Sequence, residues 1–149
     1  MTEPHASQIH HVVFAVATER HAAVVEMFTE LGFIFNGTEL IELGIIVAVD
    51  WDRGIELICP VPGSVAEVAT SVNDFLDRHG DGVYTVVLRV PDASAAESIA
   101  ERYGSTTRFR QSFEGDGSYL HEVELSVFGL PLTLLSTNVP QRGRQPPAL

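Results

Sequence analysis

The sequence is poor in cysteine, in basic residues and in long apolar runs. Cys59 is the only cysteine, so an intrachain disulfide is impossible, and its apolar neighbours favour a buried side chain over a nucleophile. No apolar run approaches the roughly 18–20 residues of a membrane span, and residues 1–8 lack the apolar core of a signal peptide. We therefore expect a protein of the reducing cytoplasm.

Basic residues are outnumbered by acidic ones. Nine Lys or Arg stand against twenty Asp or Glu, which gives a formal net charge of −11. Such a surface repels nucleic-acid phosphates and anionic lipids, so we expect no nucleic-acid partner and no membrane partner. The sequence also lacks a Walker loop, a Gly-x-Gly-x-x-Gly motif, a Cys-x-x-Cys motif and Ser-His-Asp spacing.

The composition fits one globular domain over residues 1–149, because 45% of the residues are hydrophobic and 19% are charged. Periodicity and turn signals divide its first half into a strand, a helix and three strands, followed by a connecting helix. The predicted elements are a strand over 9–16, a helix capped by Thr18, strands over 33–35, 40–51 and 55–60, and a helix capped by Ser64 that ends at Gly80. Asn36-Gly37 and Asp52–Gly54 are the predicted turns.

The second half repeats the order of the first. It contains a strand over 83–90, a helix capped by Asp92 or Ser94, strands over 106–113, 119–127 and 130–135, and a disordered tail over 140–149. The two opening strands match at a constant offset along the chain. We therefore predict two tandem βαβββ units, over about 8–62 and 82–138, joined by the helix over about 64–80.

Four segments of this repeat resemble the glyoxalase / bleomycin resistance / dioxygenase (vicinal oxygen chelate) superfamily: 9–16, 28–33, 54–60 and 82–92. The helix from Ser64 to His79 and the Gly-rich entry to the second half look most like methylmalonyl-CoA epimerases. The resemblance implies an α+β fold in which the strands of each unit curl into half-cups that face each other around a central cavity. It also implies a divalent metal with four ligands and a homodimer.

By motif position, His11 and Glu56 match the metal ligands of the first half. Thr85 and Thr133 fall where the family carries His and Glu in the second half. Imidazole and carboxylate are ordinary ligands for a divalent metal, but a neutral hydroxyl is a poor one. The ligand set is therefore incomplete, and a metal is expected only if His11 and Glu56 hold it.

Carboxylates on neighbouring strands offer a replacement. A two-residue loop at Phe128-Gly129 places Glu124 opposite Thr133, with Glu122 on the same face. Glu124 then supplies a third ligand or a general acid–base group, unless this face lies open to solvent. In the first half, a three-residue loop places Asp50 opposite Glu56, and a two-residue loop places Trp51 there.

The arginines near these strands allow two interpretations. Arg89 shares the strand parity of Thr85, so it binds a substrate carboxylate or phosphate, or forms a salt bridge at the strand end. Arg108 and Arg110 alternate with Phe109, as on an edge strand with one wet face, and receive no role.

The resemblance, together with these residues, implies two functions from different classes. The first is an epimerase, isomerase or lyase that abstracts a proton beside a carbonyl of a small acid or thioester. Its catalytic residues are His11, Glu56 and Glu124, and its substrate contacts are Thr85, Thr133, Asp50, Glu122, Arg89 and Trp51. The second is a metal-free protein that sequesters a flat aromatic cation, for which acidic residues and Trp51 are suited.

Overall fold

The structure, a computed structural model, describes residues 6–141, so the predicted disordered tail lies outside the described residues from 142 onward. The elements, in chain order, are β1 (Gln8–Ala15), α1 (Thr18–Glu30), β2 (Asn36–Leu40), β3 (Ile45–Asp50), β4 (Ile55–Pro60), α2 (Glu67–His79), β5 (Gly82–Arg89), α3 (Ala93–Glu101), β6 (Thr106–Gly115), β7 (Ser118–Val127) and β8 (Leu130–Thr137). This order is a βαβββ unit, a connecting helix and a second βαβββ unit, so the predicted α+β class and repeat are confirmed. Within the described range, no helix has the length and apolar character needed to cross a membrane.

The described chain divides into two compact units, His11–Tyr84 and residues 6–10 with 85–141. In the first unit the strand order is β2–β3–β4–β1. β3 is antiparallel to β2 and β4, whereas β4 is parallel to β1, with Val13 opposite Glu56. Its core contains Leu57, Ile58 and Cys59 of β4 and Ala69 and Val72 of α2. Cys59 is buried as predicted, and burial raises the pKa of its thiol.

The second unit has the strand order β5–β8–β7–β6. β5 is parallel to β8, with Val87 opposite Thr133. The strands β6, β7 and β8 form an antiparallel meander. The pair Val87 and Thr133 occupies the same place in this ladder as Val13 and Glu56 in the first unit. The sequence repeat is therefore also a repeat of strand register.

One face of the second unit's sheet packs on α3. The core on this side contains Ala93 of α3 with Val123, Leu125, Val127 and Leu134, and Leu132 packs against it. These residues alternate along β7 and β8 with Glu124 and Thr133, whose side chains therefore belong to the face away from α3. The leucines and valines of this hairpin therefore face α3.

The predicted turn at Asn36-Gly37 is wrong. Both residues belong to β2, where they pair with Val49 and Ala48 of β3. The chain instead reverses at Ile41–Gly44, where Gly44 has φ +72° and a Cβ added to it would lie 2.2 Å from the Ser64 hydroxyl oxygen. An Asn-Gly pair permits a turn, but the close approach at Gly44 requires glycine.

Two of the predicted helix caps are also wrong. α1 and α2 begin after Ala17 and Ala66, and neither helix has a side-chain cap. The Thr18 hydroxyl instead donates to the Pro60 carbonyl at 2.8 Å. Asp92 does cap α3, because its carboxylate accepts from the Ala95 backbone N–H at 3.1 Å.

The buried carboxylate of Glu97 ties α3 to β6. It accepts hydrogen bonds from the Arg110 guanidinium and from the Thr107 hydroxyl. Arg110 first, and Thr107 second, lower the pKa of Glu97 below its ordinary value. A carboxyl group with a lowered pKa stabilises the fold above its unfolded-state pKa and loses that contribution as the pH falls through its folded-state pKa.

We therefore expect Glu97→Gln to lower the melting temperature most at neutral pH. Since the charged hydrogen bonds disappear from the wild type as Glu97 protonates, the difference between the two proteins shrinks below about pH 4. Thermal unfolding at several pH values checks this result. A difference that grows on acidification would contradict the assignment.

Candidate functional site

A histidine and a glutamate form a close pair in the first unit. His11 Nε2 lies 2.9 Å from Glu56 Oε1. Because Val13 is opposite Glu56 and His11 precedes Val13 by two residues, the two side chains share one face of the β1–β4 ladder. The His11 side chain is only 3% exposed, whereas Glu56 is 21% exposed. The structure therefore brings together the two predicted ligand residues as a buried hydrogen-bonded pair with one accessible carboxylate.

Trp51 lies beside this pair. The centroids of the Trp51 and His11 rings are 5.9 Å apart and the ring planes are inclined by 40°. Trp51 opens the four-residue connection between β3 and β4 and is not in the strand pairing with Glu56. The indole therefore contacts the imidazole from a loop, and its role in binding substrate stays a prediction.

The predicted position of Asp50 is wrong. Val49, not Asp50, lies opposite Glu56, and Asp50 lies opposite Ile55. The connection to β4 is one residue longer than predicted, which turns Asp50 to the other face of the sheet. There its carboxylate, 3% exposed, accepts from the backbone N–H groups of Ile34 and Arg53 at 2.9 and 3.1 Å.

Two threonines form the equivalent pair of the second unit. The hydroxyl oxygens of Thr85 and Thr133 lie 3.0 Å apart, and both side chains are buried. Thr85 precedes Val87 by two residues, as His11 precedes Val13, and Val87 is opposite Thr133. The repeat thus places a neutral hydroxyl pair where the first unit has imidazole and carboxylate.

Glu124 lies opposite Thr133, as predicted from the two-residue loop. The loop residues Phe128 and Gly129 both have positive φ, of 55° and 77°, as a type I′ hairpin requires. The Glu124 side chain is 14% exposed and lies 3.0 Å from Arg108. The alternative of a fully solvated face therefore does not describe Glu124.

Glu122 is held on the same face. It accepts a hydrogen bond from the Gln111 side-chain amide on the neighbouring strand β6. Arg89 donates to the Thr137 carbonyl at 2.8 Å, so in the structure it contacts the strand end. Substrate roles for Glu122 and Arg89 stay predictions.

The predicted edge strand is confirmed, because β6 ends the strand order and Arg108 and Arg110 are both exposed. The prediction that the two arginines share one face is wrong. The ladder between β6 and β7 shifts register between Thr107 and Phe109, which leaves Arg108 as the extra residue of a β-bulge. Arg110 contacts Glu97 of α3, whereas Arg108 contacts Glu124 on the opposite face. Nothing in the sequence marks this bulge.

The residues present do not fit the four-ligand metal site that the resemblance implies. Thr85 and Thr133 are neutral, hydrogen-bonded to each other, and poor ligands. Over residues 6–141, no three or more His, Cys, Asp or Glu side chains are grouped so that they could hold a metal. The alternative in which Glu124 completes a three-ligand set therefore has no support in this part of the chain.

The fold of this chain is also found in solved structures of other proteins. Comparison of the sequence with family profiles and with curated proteins finds no match. Solved structures do match. Methylmalonyl-CoA epimerase from Mycobacterium tuberculosis has a TM-score of 0.59 at 21% identity, with 95% of each chain covered.

Two Streptomyces coelicolor enzymes are also similar. A variant methylmalonyl-CoA epimerase in complex with 2-nitronate-propionyl-CoA has a TM-score of 0.61 at 19% identity, covering 89% of this chain and 98% of that one. A mutant 4-hydroxymandelate synthase has a TM-score of 0.64 at 18% identity, covering 94% of this chain and 51% of that one. Likeness at such low identity establishes the fold and leaves the function to the chemistry of the side chains.

Proposed function

We propose that the protein is an epimerase or isomerase that removes a proton next to a carbonyl of a small acid or acyl thioester. The observation that carries the proposal is the hydrogen bond between buried His11 and the more exposed Glu56. A carboxylate that is partly exposed and held by a buried partner is suited to act as a general base. The fold shared with methylmalonyl-CoA epimerases gives further support.

The exposures of the two groups suggest their roles. Glu56 takes the α-proton, the C–H electron pair moves into the adjacent carbonyl, and an enolate forms. Protonated Glu56 returns a proton to the same face of the α-carbon, which retains the centre, or solvent delivers a proton to the opposite face, which inverts it. In the second case Glu56 releases its proton to solvent, and in both cases the carbonyl is restored. His11 donates its Nε2–H to Glu56 and is the positioning residue, because it is nearly inaccessible.

The ligand of one structural neighbour supports the same chemistry. That epimerase was solved with 2-nitronate-propionyl-CoA, and a nitronate is a planar anion whose charge is delocalised from carbon onto oxygen, as the charge of an enolate is. Analogues of a high-energy intermediate bind an enzyme more tightly than its substrate does. Methylmalonyl-CoA is therefore the first substrate to test on this chain.

The test is proton exchange in heavy water. Wild-type protein is incubated with methylmalonyl-CoA in D₂O, and the loss of the α-proton signal is followed by NMR against a protein-free control. We expect exchange faster than in the control. An exchange rate equal to that of the control, with methylmalonyl-CoA and with a panel of other acyl thioesters, would remove the proposal.

The Thr85–Thr133 pair supports a second candidate function, that of a metal-free binding protein. A neutral hydroxyl pair binds a metal poorly, so a ligand held beside it would be held without a metal. Tight binding of a cationic aromatic compound, measured by quenching of the single tryptophan Trp51, with no exchange of any thioester, would favour this candidate.

A further inference from the structure

The β-bulge in β6 reverses the expected direction of one arginine. In a regular strand, residues two apart point to the same face, yet Arg110 contacts Glu97 and Arg108 contacts Glu124. The register shift between Thr107 and Phe109 accounts for the reversal. Bulges are over-represented beside active sites, where they re-aim a side chain.

Arg108 thereby joins a polar face of the second unit. We define this polar face as the side of the sheet away from α3 that carries Thr85, Thr133, Glu124, Glu122 and Arg108. Thr133 and Glu124 are directly opposite each other on β8 and β7, and Arg108 reaches Glu124 from β6. Hydroxyl, carboxylate and guanidinium groups thus follow one another across neighbouring strands.

Side chains of the polar face are held in place by contacts with one another. Thr85 and Thr133 are buried and bonded to each other. The Arg108 side chain is 36% exposed and Glu124 is 14% exposed, so the guanidinium is fixed by a half-buried carboxylate and still reachable by a ligand. An arginine fixed in this way loses less side-chain freedom when it binds an anion.

The chemistry of these groups selects the ligand. A guanidinium has five N–H donors in a planar fork and pairs with carboxylate or phosphate groups. Glu124 and Glu122 on the same face disfavour a doubly charged phosphate more than a singly charged carboxylate. The chain contains no lysine. Arginine is therefore the only residue with a long basic side chain that can bind an anion.

We propose that Arg108 recognises a carboxylate group of the ligand and makes the protein specific for acyl compounds that carry one. All the residues that support this inference belong to the second unit, and only the choice of probe rests on the proposed function. Glu124 acts here as the positioning partner of Arg108.

The experiment compares two thioesters that differ by one carboxylate. Methylmalonyl-CoA and propionyl-CoA are titrated into the protein by calorimetry, and the ratio of their Kd values measures carboxylate recognition without any turnover. We expect wild type to prefer methylmalonyl-CoA by about 10–100-fold, the range of a charge-assisted hydrogen bond. Arg108→Gln should bring this ratio close to one, and Arg108→Lys should give an intermediate ratio.

Arg110→Gln is the matched control, because Arg110 is on the same strand, two residues away, and faces α3. It should keep the wild-type ratio once circular dichroism shows that it is folded. The double variant Arg108→Gln with Glu124→Gln separates direct recognition from neutralisation of Glu124. If Arg108 touches the ligand, the double variant also fails to discriminate; if the double variant regains the wild-type ratio, the inference is overturned.

The other possible results also decide for or against recognition of the carboxylate by Arg108. Equal loss of affinity for both thioesters in Arg108→Gln would mean that Arg108 binds a phosphate of CoA, and would overturn recognition of the carboxylate. A wild-type ratio near one would overturn it as well. A preference for methylmalonyl-CoA without α-proton exchange would support carboxylate recognition by Arg108 and contradict the proposed enzyme. α-Proton exchange without this preference would support the enzyme and overturn the role of Arg108.

Discussion

Replacing Glu56 by Gln lowers the rate of α-proton exchange of methylmalonyl-CoA by about 10²–10⁴-fold, the usual contribution of a positioned general base. An amide of the same shape keeps the contact with His11 but cannot take up the proton. The loss should appear in kcat, with KM changed little, because the carboxylate acts on the reacting C–H bond. Exchange in D₂O measures the rate, and thermal unfolding verifies that the variant is folded.

Variants of His11 separate positioning from folding. His11→Leu removes the donor to Glu56, and we expect exchange to fall by roughly 10–100-fold, as when a reacting group loses its orientation. His11→Gln retains an N–H donor and should recover part of the rate at equal stability. His79→Gln, at an exposed position of α2, is the control and should match wild type. Full activity in Glu56→Gln would exclude this pair as the source of proton transfer.

Asp50→Ala is expected to destabilise the first unit by roughly 2–4 kcal/mol, because two backbone N–H groups lose their acceptor. Those groups belong to Ile34 and Arg53, and the Asp50 carboxylate is almost fully buried. Denaturant unfolding with linear extrapolation gives the free energy of unfolding. Asp50→Asn keeps one acceptor oxygen and should give a smaller loss.

Asp52→Ala is the matched control for Asp50. Asp52 is exposed in the same connection, and we expect a change in the free energy of unfolding below about 0.5 kcal/mol. Asp50→Ala should also leave the α-proton exchange rate of the folded protein within a few-fold of wild type. Loss of exchange with unchanged stability would show that Asp50 contacts the substrate after all.

The parts of the site that the sequence predicted depend on short-range rules. The repeat placed Thr85 and Thr133 as the counterparts of His11 and Glu56, and the structure shows equal strand register in both units. Phe128-Gly129 fixed a two-residue hairpin, which placed Glu124 opposite Thr133. Since strand alternation then determines the face of every residue in the hairpin, one correct turn length was sufficient.

Two features of the site that the sequence did not predict each depend on one additional residue in the chain. The connection after β3 has four residues rather than three, and this difference moved Asp50 from the predicted site to a structural role. The extra residue in β6 moved Arg108 to the polar face. Neither has a local signal, because Asp-Arg-Gly fits loops of several lengths and a bulge needs no particular side chain.

Deuterium incorporation by wild type after exhaustive treatment with a chelator tests the central claim most directly. One epimer of methylmalonyl-CoA is incubated in D₂O with the chelator-treated protein, and deuterium at the α-carbon is measured by mass spectrometry. Proton transfer by Glu56, held by His11, predicts incorporation at the untreated rate. Incorporation that vanishes after chelation and returns with a divalent metal would contradict this account.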